Sequence, residues 1–150
     1  MRTVVDFEDM LVLLEKHKVR YLIVGGLAFI YHAKPRYTKD IDIWIEASVD
    51  NVEKGNGALT EFGSPTLMDP AKPNEIVQIG VEPSRIDMIR SIEGVDFDTA
   101  WSRRERATYG GVETNWIDLD SLLAVKSLID KPKHREDARV LLEIKKIRES

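Results

Sequence analysis

The chain has 150 residues, 43% hydrophobic and 32% charged, with a formal net charge of -4. A chain of that length buries roughly 68 to 70% of its unfolded surface, which suits one compact domain across residues 1–150 and leaves no room for a second large one. It has no cysteine, which excludes disulfides, thiolate nucleophiles and cysteine-ligated zinc.

No apolar run approaches the roughly 18 residues of a membrane span, and the opening MRTVVDFEDM has no signal-peptide core, so a cytoplasmic protein without membrane partners is expected. The net negative charge argues against coating nucleic acid by bulk electrostatics, although a local basic rim can still steer a polyanion. His17, His32 and His134 fall in separate predicted elements without metal-ligand spacing, which argues against zinc.

In chain order, Asp6 to Lys16 reads as a helix whose apolar stripe is Phe7, Met10, Leu11 and Leu14. Val19 to Val24 is a strand candidate, and Gly25 and Gly26 follow it. Glycine at a strand-to-helix turn permits positive φ and close approach of a ligand, and free amides at the next helix start can hold an anion. The pair equally suits an ordinary tight turn. Leu27 to Ala33 makes a short buried helix that Pro35 stops, and His32 near its end reads as a packed or capping residue.

Asp40 and Asp42 lie in the run DIDIWI. In a strand, side chains at i and i+2 share a face about 6 to 7 Å apart, with Ile41, Ile43 and Ile45 on the other. Two carboxylates so placed repel unless a cation lies between them, and magnesium takes one or two carboxylates plus water and phosphate oxygens. Both are otherwise solvated aspartates on an exposed face. Arg36 and Lys39 precede the strand and would bring two cations beside the pair, either as stabilising partners or as phosphate ligands.

Val49 to Phe62 is expected to be a helix interrupted or ended around Gly55 and Gly57, with Val52 and Leu59 inward. Gly63 to Asn74, with three prolines, reads as a loop bordering the site. Strands follow over Glu75 to Val81 and Ser84 to Ile89. On the second, Arg85 and Asp87 share one face, so Asp87 stands in surroundings like those of Asp40 and Asp42. Adjacent strands lie about 5 Å apart, so the three carboxylates can converge on one or two metals.

Asp96 to Arg103 suggests a helical turn, with Trp101 a core or surface plug, and Arg103, Arg104 and Arg106 form a small basic cluster. A hairpin is expected over Thr108 to Ile117. Asp118 or Asp120 caps a helix to about Ile129 that packs Leu119, Leu122, Leu123, Leu128 and Ile129. Lys126, near that apolar side, either snorkels, pairs with an acid or reaches a phosphate. Pro132 separates it from a last helix, Arg135 to Arg148, with Ala138, Leu141, Leu142 and Lys145 inward and with Arg135 and Asp137, in its first turn, expected to pair with Lys126 or with the body of the domain.

The succession of GG, RYTKDIDIWI, RIDMI and LLAVKSLIDKPKHREDARVL resembles the nucleotidyltransferase-fold superfamily, with its small prokaryotic AbiEii-type members of toxin-antitoxin and phage-defence systems the nearest in look. The resemblance covers roughly Val19 to Leu142. It implies a mixed α/β (α+β) fold, a mixed β-sheet flanked by helices with two C-terminal helices. It also implies an ATP- or other NTP-binding transferase in which Gly25 and Gly26 hold the triphosphate. Asp40, Asp42 and Asp87 become ligands for magnesium or manganese, and Asp87 helps activate the attacking hydroxyl. Arg36, Lys39 and Lys126 become phosphate or network residues.

Many members have serine directly after the first glycine, where this chain has Gly26. Many also add a nucleic-acid-binding or helical domain, so the acceptor, an RNA, a protein or a small molecule, would be recognised with an antitoxin-like partner or a second copy. Two other classes stay open: a non-catalytic nucleotide- or partner-binding domain, and an assembly protein in which Asp87 does not face Asp42.

Overall fold

The computed structural model describes residues 3–150. In chain order the elements are α1 (Val5–Lys16), β1 (Tyr21–Val24), α2 (Gly25–His32), β2 (Asp40–Ile45), α3 (Val49–Phe62), β3 (Val77–Ile79) and β4 (Arg85–Ile89). Then come α4 (Phe97–Ser102), β5 (Glu105–Tyr109), β6 (Val112–Trp116), α5 (Leu119–Leu128) and α6 (Pro132–Glu149). The expected mixed sheet flanked by helices, closed by two C-terminal helices, is what forms.

The six strands are ordered β3-β4-β2-β1-β6-β5. β1 and β2 are antiparallel, while β2 with β4 and β1 with β6 are parallel. The strand period of two divides the core between two faces. Tyr21, Ile23, Ile41, Ile43, Ile45, Ile86 and Met88 pack with Phe7, Met10, Leu11 and Leu14 of α1 and with Val52 and Leu59 of α3. Leu22, Val24 and Trp44 face the other way, against Leu119 and Leu122 of α5 and Leu141 of α6. Asp40 and Asp42 therefore stand on the α5–α6 side of the sheet.

Several elements differ from the expectation for physical reasons. β1 begins at Tyr21 rather than Val19, because the chain leaves α1 through Lys18 at φ 56° and Val19 N–H bonds Leu14 C=O at 3.0 Å. α3 runs unbroken through Gly55 and Gly57. A Cβ at Gly55 would lie 2.7 Å from Met68 Cε, and one at Gly57 2.9 Å from His17 Nδ1, so these glycines allow close approach rather than ending the helix. Ser48 accepts from Asn51 N–H to cap its start, and Gly63, at φ 90°, ends it.

β3 keeps only the three residues Val77–Ile79 of the longer predicted strand. The hairpin starts earlier than expected, at Glu105. Pro132 opens α6 as its first residue instead of lying between two helices. Along α6, Asp137 and Leu141 are the buried residues, while Leu142 is exposed and Lys145 pairs with Asp120 at 3.1 Å. Among the described residues no helix is long and apolar enough to cross a membrane.

Candidate functional site

The two parallel neighbours β2 and β4 set the site. Their register pairs Asp40 with Arg85 and Asp42 with Asp87, and β1 brings Val24 opposite Asp42. Asp40, Asp42 and Asp87 thus come together on one face, with Gly25 immediately after Val24. This excludes the assembly-protein expectation that Asp87 would not face Asp42.

Gly25 is fitted to that neighbourhood. Its φ is 68°, and a Cβ built on it would lie 2.1 Å from Asp42 Oδ2, so no other L-residue fits without displacing the carboxylate. The glycine pair is the first turn of α2 rather than a turn before it. Val24 provides no side-chain cap, and the first turn holds no acid, which leaves the opening N–H groups for an anion. His32, at the other end of α2, is buried and bonded through Nε2 to the Ile117 carbonyl at 2.6 Å, a packed residue as expected.

The cation that sits between the aspartates is Arg85. Its Nη2 donates to Asp40 Oδ2 at 2.8 Å, and its Nε donates to Asp87 Oδ1 at 3.0 Å. Arg36 and Lys39, expected beside the pair, go elsewhere: Arg36 forks onto Asp137 at 2.7 and 3.1 Å, and Lys39 lies 3.7 Å from Glu82. Arg36 is drawn away because Asp137 is a buried carboxylate and the Phe29 ring, 4.1 Å from its guanidinium, holds it from the other side.

Electrostatics follow from this crowding. Burial, then the charges of Asp40 and Asp87, push the Asp42 carboxyl up to about 7. Burial and Asp87 raise Asp40 as well, against the pull of Arg85. One arginine leaves this acidic cluster with excess negative charge.

Two adjoining cavities open on the cluster. A polar one of about 400 Å³ is lined by Gly25, Gly26, Arg36 to Asp40, Asp42, Glu82, Lys126, Lys133 and His134. An apolar one of about 610 Å³ is lined by Ile89, Ile92, Leu122, Val125, Leu128 and Ile129, with Ser91 and Glu93 among its polar groups. Gly25, Asp42, Lys126 and His134 belong to both. Leu128 and Ile129, expected in the core, wall the apolar cavity instead, and Leu128 is 58% exposed. The loop Gly63 to Asn74, expected to border the site, lines neither cavity. Arg90 ties it down through the carbonyls of Asp69 and Lys72.

The cationic wall opposite the acids comes from α5 and α6. Lys126 is buried, 3.0 Å from Asp137 and 3.2 Å from His134 Nδ1. Burial lowers Lys126, with Asp137 opposing, and burial followed by Lys126 lowers His134. Sequence reasoning set Lys126 in the site but left out Arg85, Lys133 and His134, and it gave Asp137 no part in the chemistry. Asp137 had a signal: it stands four residues before Leu141, on the face that α6 buries.

The donor set suits a hard divalent ion bound the way magnesium is, by one or two carboxylates with water and phosphate oxygens completing its shell. Asp40 and Asp42 supply such oxygens, and the charges of Asp40 and Asp87 add to burial in raising the Asp42 carboxyl. Although the three aspartates share a face, among the described residues no group of three or more His, Cys, Asp or Glu is arranged so that it could hold a metal ion.

No family model and no curated protein sequence matches the chain. Solved structures do. Lincomycin-bound LnuA, a lincosamide antibiotic adenylyltransferase, superposes with a TM-score of 0.63 at 19% identity, over 96% of this chain and 99% of that one. ANT(2")-Ia in complex with adenylyl-2"-tobramycin gives 0.59 at 13% identity over 91% and 86% of the two chains. The solution structure of the antibiotic-resistance factor ANT(2'')-Ia gives 0.61 at 14% identity over 92% and 81%. At these identities the likeness establishes a fold shared with these proteins.

Proposed function

We propose that this chain is a magnesium-dependent nucleotidyltransferase that moves a nucleoside monophosphate from a nucleoside triphosphate to a hydroxyl of a small-molecule acceptor. The observation that carries the reading is the register of Asp42 with Asp87, beside Asp40 and the open first turn of α2, facing a wall of cations. The acceptor oxygen attacks the α-phosphorus, the bond to the bridging oxygen breaks, and pyrophosphate leaves. Asp87 takes the hydroxyl proton, while Gly25, Gly26, Arg36, Lys39 and Lys126 hold the phosphates. Magnesium or manganese, when bound by Asp40 and Asp42 with Asp87 beside them, supplies neutralisation of the charge that develops on phosphate oxygens.

The apolar cavity supports a small acceptor, because its volume lies in the range of ligand pockets and aliphatic side chains dominate its walls. An AbiEii-type toxin, with an RNA or protein acceptor and an antitoxin-like partner or second copy, is a narrower form of the same reading. In either form residues 1–150 work as one minimal domain in the cytoplasm, where nucleoside triphosphates are at hand.

A second reading, a nucleotide- or partner-binding domain without turnover, is favoured by Arg85, which already pairs with both Asp40 and Asp87. The two are separated by incubating the protein with magnesium, α-labelled ATP, GTP, CTP or UTP, and RNA, protein and metabolite fractions. Label should enter the metabolite fraction and vanish with Asp42→Asn. Folded protein that binds nucleotide with magnesium yet labels no fraction would leave the binding-domain reading standing.

A further inference from the structure

Asp137 lies at the centre of the cationic wall, and its bonds account for both its oxygens. Oδ1 accepts from Arg36 Nη1 at 2.7 Å, while Oδ2 accepts from Arg36 Nη2 at 3.1 Å and lies 3.0 Å from Lys126 Nζ. The residue is 4% exposed. A carboxylate so enclosed has no oxygen left for a substrate. Burial works to raise its pKa, and Arg36 and Lys126 together outweigh burial and hold it below the ordinary value.

The two cations, by contrast, keep donors in reserve. Lys126 has three N–H donors, of which one meets Asp137 and one meets His134 Nδ1. Arg36 has five, and its fork onto Asp137 engages two. Both residues line the polar cavity with Gly25 and Gly26. Arg36 comes from the segment after α2, Lys126 from α5 and Asp137 from α6, so the clasp joins three parts of the chain.

We propose that Asp137 is a positioning residue for phosphate binding: it touches no substrate and fixes Arg36 and Lys126 so that their remaining N–H groups face the polar cavity. The inference rests on the nucleotidyltransferase reading, in which that cavity takes the triphosphate. Lys126 faces Asp137, His134 and Lys133 of α6, Arg36 after α2, and Asp42 of β2 across the cavity. Without the Asp137 carboxylate, the buried Lys126 ammonium keeps the like charges of Arg36 and Lys133 around it and loses the carboxylate that contacts it, leaving Asp42 across the cavity. It then gives up its proton more readily as pH rises.

The experiment measures binding of inorganic tripolyphosphate by calorimetry, which needs no turnover and no known acceptor. Asp137→Asn is expected to weaken binding about tenfold at pH about 8.5 and no more than about threefold at pH about 6, while wild-type binding changes less across the same range. Binding by Asp137→Asn that is unchanged, tighter or weakened equally at both pH values overturns the positioning role while leaving the phosphate site intact. No binding by the wild-type protein overturns both this inference and the reading beneath it.

If Asp137→Asn does not fold, Lys126→Met is compared with Lys126→Met/Asp137→Asn, in which the buried ammonium is gone. The double variant is expected to bind about tenfold more weakly because Arg36 loses its anchor, and equal binding by the two overturns the proposal.

Discussion

At Gly25 the backbone turns through φ 68° with Asp42 Oδ2 lying where a side chain would begin, 2.1 Å from a built Cβ. The left-handed conformation alone costs an L-residue about 1 to 2 kcal/mol, and the contact adds to it. Gly25→Ala is therefore expected to lower stability by about 2 kcal/mol or more, read as a lower denaturant midpoint at constant m. It should also displace Asp42 and with it any transfer activity. Gly26 differs, because a Cβ there lies 3.2 Å from Thr38 Oγ1 and φ is not in the left-handed region, so Gly26→Ala serves as the milder control. Equal midpoints for the two variants would show that the Gly25 contact is not what shapes this turn. The sequence displayed the glycine pair but not the carboxylate against it, since that contact depends on β1 pairing with β2.

At the scale of elements, α5 has two jobs. Asp118 caps it by accepting from Ser121 N–H, and Leu119 and Leu122 anchor it to the sheet. Its later residues then wall the apolar cavity on one side and deliver Lys126 to the polar one. Val125 is part of that wall and is only partly buried, so Val125→Trp fills cavity space without disturbing the anchoring residues. The expected result is an acceptor KM raised about tenfold with nucleotide binding within about twofold of wild type. A variant that loses nucleotide binding and keeps acceptor affinity would instead assign this cavity to the nucleoside. The existence of α5 was legible from its cap and its leucines. That Leu128 and Ile129 leave the core for a cavity wall was not, because hydropathy does not distinguish a residue facing protein from one facing a ligand space.

For the molecule as a whole, the acidic cluster should tie stability to pH. The folded chain holds a proton on Asp42 up to about 7, where the unfolded chain has released it near 3.8. That contribution is fully present below the unfolded value and is lost as pH rises through about 7, up to about 4 kcal/mol in all. In chelator the melting temperature should fall between about pH 5 and about pH 8, and Asp42→Asn should flatten the decline. Magnesium should restore more at the higher pH, because the ion and the proton compete for the same oxygens. Parallel slopes for wild type and Asp42→Asn would remove Asp42 as the source.

Much of the acid side of the site was legible, since a period of two puts Asp40 and Asp42 on one face and repeats for Arg85 and Asp87. The cationic side was not. Arg36 and Asp137 are 101 positions apart, and no local pattern announces which distant carboxylate an arginine will choose.

The pairing of Asp42 with Asp87 also bears on how the gene can change length. A strand is read in steps of two, so one codon gained or lost just before Asp87 would turn Ile86 or Met88 towards Asp42 and send the carboxylate into the apolar core. Such a change conserves almost every amino acid and yet exchanges the two faces of β4. Point substitution can therefore explore this site one side chain at a time, whereas a frame-preserving insertion or deletion in β4 removes the acid and the packing together.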